Sequence, residues 1–316
     1  MGNYILRRLA MLIPTLVGMS ILIFLMLRLL PGDVVDIMMG TDAQAGTEAR
    51  ERLRESLGLA DPLPIQYLKW VGGMFQGDFG ESLRTGRPVV DILLSALPIT
   101  IQLAFFAVVI AVVVAIPLGV ISAVKRDTPL DFGARISGLI GLSIPNFWLA
   151  TLILLATSTL LGWTPSRSYI SPFEDPFGNI QQMFLPALAL SVQLMAVVMR
   201  MTRTSMLETL GQDFVRTARA KGLSERIVVY RHALQNSLIP VITVIGFQLG
   251  SLMGTAAIVE VIFGLNGIGN TLLQAIFNRD YPVVQAATLY LAVAFVLINL
   301  IVDILYVLID PRIKQA

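Results

Sequence analysis

The chain has no cysteine among its 316 residues, a single histidine, His232, and only four lysines. Without cysteine there is no disulfide, no thiolate nucleophile and no Cys-ligated metal. One histidine cannot build a multi-histidine metal site, and the absence of His-Glu-x-x-His excludes that class of metal protease. A phosphate-binding loop needs Gly-Lys before Ser or Thr, so that backbone N–H groups and the lysine hold the phosphates. Lys69, Lys125, Lys221 and Lys314 all follow residues other than glycine, so the chain is not expected to hydrolyse ATP. Charge is scarce too, at 14 % of residues, where soluble domains carry roughly 25 %. A net charge of +2 with no basic soluble face argues against nucleic acid as a partner.

What remains is apolar: 55 % hydrophobic residues, with a mean hydropathy of +0.76. The expected partner of most of this surface is membrane lipid. Six apolar runs, Leu9–Leu30, Pro98–Val124, Ile136–Leu161, Leu185–Met201, Leu238–Phe263 and Val283–Ile309, match or approach the ~20 residues a helix needs to cross a bilayer. The reading is an all-α polytopic membrane protein with six transmembrane helices. The first run follows Arg7-Arg8, but it is too long for a signal-peptide core and lacks a small-residue cleavage pattern before Pro31, so it reads as a retained anchor.

Orientation follows from the basic residues. With both termini inside, that side holds 14 of the 23 Lys and Arg, including Arg7, Arg8, Lys125, Arg126, Arg200, Arg203 and the cluster Arg216–Arg231. The expected organisation is an anchor at 1–30, an extracytoplasmic segment with short helices at 31–97, and a five-helix core at 98–309. That core carries a cytoplasmic loop at 204–237, and a short cytoplasmic tail follows at 310–316.

In the outer segment, Thr47 is placed to cap a short helix carrying Leu53 and Leu57 and ending at Gly58. Asp61-Pro62-Leu63-Pro64 then forces a break. Ile65 to Phe75, with Tyr67, Trp70 and Phe75, suits either the membrane interface or a small solvated cap.

The loop from Glu208 to Pro240 is polar and basic, and its apolar residues Ile227, Val228, Tyr230, Leu234 and Leu238 recur at helical spacings. Two short amphipathic helices broken at Gly222, with Ser224 able to cap the second, are predicted. Held between two spans, such a unit either transmits a push from a soluble partner or is simply a solvated loop that fixes topology.

This stretch resembles the cytoplasmic coupling loop of ABC importer permeases, whose pattern is Glu-Ala-Ala, three residues, Gly, nine residues, then Ile-x-Leu-Pro. Gly222 takes the glycine, Ala218 the second alanine and Leu234 the leucine, while Arg216, Thr217, His232 and Gln235 depart from it. Those departures resemble the variant of the dipeptide, oligopeptide and nickel permease subfamily. The likeness extends through Tyr4–Leu9, Leu30–Asp33, Gly77–Ser82, Arg87–Val89, Ser143–Trp148, Arg200–Arg203, Arg279–Gln285 and Asp310–Arg312. One departure is Gly264-Leu265-Asn266-Gly267-Ile268-Gly269, read as a turn, where the family more often has a proline before the Gly-x-Gly.

The resemblance implies the fold of a type I importer permease in the bacterial inner membrane. It implies a second, homologous permease as a heterodimeric partner, two cytoplasmic ATPase subunits that carry the ATP and Mg, and an extracytoplasmic substrate-binding protein. No cofactor is expected on this chain. The contact with the ATPase is expected at Arg216, Thr217, Ala218, Arg219, Ala220, Lys221, Gly222, Leu223, Ser224 and Glu225. The cargo is expected to be dipeptides or oligopeptides, with nickel, glutathione or another small solute as alternatives of the same architecture.

Polar groups within spans are candidates for function, or else for interhelical hydrogen bonding. Gln102, Asn146, Gln193, Gln248, Glu260, Asn299 and Asp303 qualify. Asn146, Gln193 and Gln248 are the candidate pathway residues, and Pro117 and Pro145 are expected to kink their helices. An ion-gradient transporter, the alternative from a different class, should show paired broken spans with ionisable residues at mid-membrane. Here only Asp303 is a clearly intramembrane acid.

Overall fold

The computed structural model describes residues 2–29, 51, 54, 60–166 and 168–309. The sequence-based expectations for Thr47, Leu53, Leu57, Gly58, the Leu30–Asp33 motif and the 310–316 tail lie outside these residues, as does the side chain of Asp303. The described chain is helical, apart from an isolated bridge between Glu81 and Pro88. In order, the helices are α1 (Gly2–Leu29), α2 (Leu63–Phe75), α3 (Val89–Val124), α4 (Pro129–Ser143), α5 (Asn146–Leu161), α6 (Pro176–Leu210), α7 (Asp213–Ala220), α8 (Glu225–Phe263), α9 (Ile268–Phe277) and α10 (Tyr281–Ile309).

Four described helices are long and apolar enough to cross a membrane: α3, α6, α8 and, over Tyr281–Val302, α10. The pair α4 and α5 meets the same test only if taken together, and α1 contributes a shorter apolar stretch, Ala10–Met26. The run Ile136–Leu161 is therefore not a single continuous helix. It breaks by 100° at Ile144-Pro145. Proline disfavours helical backbone at the residue before it, and Ile144 is extended, with ψ 120°. Pro117, by contrast, lies inside the continuous helix α3, as does Pro98. The span expected to begin at Pro98 is part of a helix that starts nine residues earlier, at Val89, and Leu185–Met201 is the middle of the 35-residue helix α6.

The centre of the bundle is the pairing of α3 with α6. On α3, Leu103, Ala107, Ala111 and Ala115 recur every fourth residue and are fully buried. Opposite them lie Met183, Ala187, Leu190, Leu194 and Val198 of α6, in one apolar cluster. Small residues at such spacing let helix backbones approach closely, which is how helices associate where lipid removes the hydrophobic drive. At Gly119 the approach is tightest: a Cβ there would fall 2.6 Å from Thr202 Cβ and 2.8 Å from the Met199 carbonyl oxygen.

Helix α2 begins at Leu63, directly after Pro62, so the proline pair marks a helix start as well as a break. It rests on α1 through Phe24, Tyr67 and Trp70, with ring centroids 5.5–6.3 Å apart, and the Tyr67 and Ser20 hydroxyls bond at 2.8 Å. Its exposed residues Leu63, Ile65, Leu68 and Phe75 are apolar.

Candidate functional site

The segment around Gly222 is a rigid hook. Helix α7 ends at Ala220 with Lys221 as its C-cap, and Gly222 follows with φ +77°, a left-handed conformation that glycine takes without a Cβ penalty. Gly222 N–H donates to Arg219 O at 2.9 Å and Leu223 N–H to Ala218 O at 3.4 Å, the paired bonds of a Schellman stop. Across the turn, the Arg219 guanidinium binds both carboxylate oxygens of Glu225, at 2.7 and 3.3 Å. Its hydrogen bonds hold the Glu225 carboxyl below the usual carboxylate range. Beneath the turn, Val215, Ala218 and Val228 form a small buried cluster with Leu210 at its edge.

Two details differ from the sequence-based expectation. Ser224 occupies the N-cap position with extended backbone, but its side chain makes no capping bond. The second helix is not short: it runs on from Glu225 to Phe263 through a π-helical stretch at Val228–Ala233. Such stretches insert an extra residue into a helix and are frequent at functional sites. Val229 and Ala233 pack with Val120 and Ala123 of α3 and Met206 of α6, so the hook is seated on the ends of the central pair.

Of the ten residues expected at this contact, Ala218 is buried in the hook and the other nine are exposed. Phe214, Ile227 and Tyr230, with Leu223 at the turn, add exposed apolar surface beside them. A basic surface with apolar side chains on a braced turn is suited to seat in a groove of a soluble partner.

Among the candidate pathway residues, the structure joins Asn146 and Gln193: Asn146 Nδ2 donates to Gln193 Oε1 at 3.3 Å. Asn146 Oδ1 is buried with no hydrogen-bond partner. Gln248 lies partly exposed on α8, and no described hydrogen bond links it to either. Gln102 is interhelical glue: it pairs with Asn179 of α6 and accepts from Tyr169 Oη at 2.9 Å. Gln182 then sews the segment between α5 and α6 to α6 by donating to Ser166 O and Ser168 O.

Three further polar constructions appear, of which the sequence had marked Glu260 as a polar residue within a span but none of the partners. Glu260, fully buried on α8, accepts from Thr100 Oγ1 at 2.6 Å and from Asn270 N–H at 2.9 Å, while Thr100 Oγ1 accepts from Ile268 N–H. The turn Gly264–Gly267 thus wraps a buried carboxylate, and any side chain at Gly267 would collide with it. Gly269 already belongs to α9. Asp280, ahead of α10, accepts from Ser82 Oγ at 2.5 Å and Leu83 N–H at 3.1 Å, which joins the Gly77–Ser82 and Arg279–Gln285 motifs. On the other side of the bundle, buried Asp131 accepts from Arg203 Nε and Nη2, Ser122 Oγ and Asp127 N–H. Those bonds, chiefly from Arg203, hold its carboxyl well below the usual range despite burial.

Residues 115–315 match the family model of the binding-protein-dependent transport system inner membrane component, and residues 1–104 match its N-terminal companion. The chain belongs to this family of transport components. Relatives extend over its full length. The oligopeptide transport system permease protein AppB of Bacillus subtilis is 42 % identical over 99 % of this chain and 100 % of its own. The di/tripeptide transport system permease protein DppB of Pseudomonas aeruginosa is 43 % identical over 100 % and 99 %. The fold is also similar to that of the inward-facing MetNI methionine ABC transporter, with a TM-score of 0.56 at 18 % identity. That likeness covers 69 % of this chain and 96 % of the other, so part of this chain lies outside the shared fold.

Proposed function

We propose that this chain is the transmembrane permease subunit of an ATP-driven importer that moves dipeptides or oligopeptides inward across the bacterial inner membrane. Its Arg216–Glu225 hook then docks on a cytoplasmic ATPase, which carries the ATP and Mg. Six spans with both termini cytoplasmic place the hook and the basic cluster on that side, in line with the Lys and Arg bias. The observation that carries the reading is the hook itself. A glycine-stopped turn, braced by Arg219 and Glu225 and seated on α3 and α6, presents an apolar and basic face with no described partner within the chain.

Partners in this reading are a second, homologous permease, two ATPase subunits and an outer binding protein. Cargo passes beside the break at Ile144-Pro145, where Asn146 and Gln193 meet, with Gln248 on the facing helix. The peptide cargo rests on the oligopeptide and di/tripeptide permeases with which the chain aligns end to end.

The test is uptake of a labelled dipeptide and a labelled oligopeptide into proteoliposomes holding the chain with its co-purified subunits. Uptake that requires ATP and the binding protein is expected. A single stable chain taking up peptide on an ion gradient, with no ATPase attached, would overturn the proposal.

A further inference from the structure

Helix α4 runs antiparallel along α6, as three contacts in sequence show: Asp131 with Arg203, Gly138 with Met199, and Gly141 with Ala196. Between them opens a groove of about 500 Å³. Its floor is the glycine at 138, where an added Cβ would fall 2.5 Å from Met199 Cε. Its walls are Phe132, Ile136, Leu139 and Leu142, and its charged lining is Arg135, Arg200 and Arg203, with no acid among the lining residues.

Arg203 is neutralised by Asp131, which lies behind the groove. Arg135 leans over the Phe132 ring, 5.6 Å from its centroid. Arg135 and Arg200 are exposed, and neither has a described acidic partner. From Phe132 to Leu142 the apolar wall rises ~15 Å at 1.5 Å per residue. That is half of a ~30 Å hydrocarbon core, the depth of one leaflet. Arg135 and Arg200 stand on the half of that wall nearer the start of α4, with Leu139 and Leu142 deeper along the groove.

We propose that this groove holds an anionic phospholipid of the inner leaflet, its phosphate between Arg135 and Arg200 and its acyl chain along Ile136, Leu139 and Leu142. The assignment rests on the orientation proposed above, with α4 beginning on the cytoplasmic side. An anionic headgroup complements the +2 of the two arginines, and basic pockets between spans on that side are suited to it. A water-filled cleft would not be walled by four large hydrophobic side chains. A free phosphate would make no use of those walls.

The experiment uses the assembled transporter, purified from vesicles of phosphatidylcholine with a minor share of phosphatidylglycerol and examined by native mass spectrometry. Phosphatidylglycerol is expected to stay bound to the wild type. Retention should fall about fivefold for each of Arg135→Gln and Arg200→Gln. Leu139→Trp, which fills the slot and leaves the charge unchanged, should lower it as well. Excess inorganic phosphate should not displace the lipid.

Equal retention in the double Arg135→Gln, Arg200→Gln variant would overturn the proposal, as would displacement by inorganic phosphate, which marks a free-anion site. Because the chain has no cysteine, Leu139→Cys supplies a single labelling point. Its cross-linking to a neighbouring polypeptide would assign the groove to a protein partner instead. ATP-dependent peptide uptake, measured on the same preparations, tests the permease reading separately: its absence in the wild type would strike that reading and leave the lipid result legible.

Discussion

The guanidinium of Arg203 grips both carboxylate oxygens of Asp131, at 2.8 and 2.9 Å, and so ties α6 to the start of α4 across 72 residues of chain. Asp131 is fully buried and Arg203 mostly so. Removing one partner leaves the other charge buried and uncompensated, which typically costs about 3–5 kcal/mol. Arg203→Ala is expected to lower the melting temperature of the purified complex strongly. The double change Asp131→Asn, Arg203→Met should recover most of it. Equal losses in single and double variants would argue that the pair is not coupled.

The same pair sets a pH dependence. Because the folded Asp131 pKa lies below its unfolded value of about 4, its contribution is fully present above that value. It is lost as pH falls toward the lower folded value. Thermal scans should show this contribution unchanged from pH 7 down to about 5 and declining below about 4. Asp131→Asn should flatten that acid limb.

At Gly222, proline would force φ near −65° where the chain has +77° and would remove the N–H that bonds Arg219 O. Gly222→Pro is expected to abolish substrate-stimulated ATPase activity and uptake while the complex still assembles. Gly222→Asn, which tolerates left-handed backbone, should retain most of both, and Gly222→Ala should cost about 1 kcal/mol of local stability. Full coupling in Gly222→Pro would remove the hook from the mechanism.

How much of this was legible beforehand depends on the range of the interaction. The helix stop at Gly222 is a local matter of backbone sterics, and the glycine marked it in the sequence, whereas its paired hydrogen bonds came from the structure. The break at Pro145 was visible as a proline but not as a 100° turn, because a proline in sequence marks a break without fixing its angle. The Asp131–Arg203 and Thr100–Glu260 contacts join residues 72 and 160 apart, and no periodicity reports such pairs. Helix α3 begins nine residues before the apolar run that starts at Pro98, since Val89–Leu97 is itself apolar except for Asp91 and Ser95, and a single acid does not end a helix.

The buried Glu260 carboxylate is closely wrapped by the Gly264–Gly267 turn. Gly267→Ala would push a methyl group into the carboxylate, and overpacking of this kind typically costs about 1–3 kcal/mol. Thr100→Val should also destabilise, since it strips the hydroxyl from both Glu260 Oε1 and Ile268 N–H. Melting temperatures of both variants check this, and a neutral Gly267→Ala would show that the turn yields.

Asn146 and Gln193 separate pathway from packing. An interhelical bond of this kind contributes on average about 0.6 kcal/mol, so Asn146→Ala should leave assembly and melting nearly unchanged. Peptide uptake is nonetheless expected to fall at least about tenfold, equivalent to about 1.4 kcal/mol. Unchanged uptake would return the pair to a purely structural role.

The alanine row of α3 has a mechanical consequence. Where glycine meets backbone, as at Gly119 and the Met199 carbonyl, there are no long side chains to slide or re-pack. Helices α3 and α6 must then travel as one lever. The hook is fastened to its end through Val120, Ala123 and Met206, so a displacement at Gly222 is delivered to the lever whole, and the yielding has to occur in the helices around it.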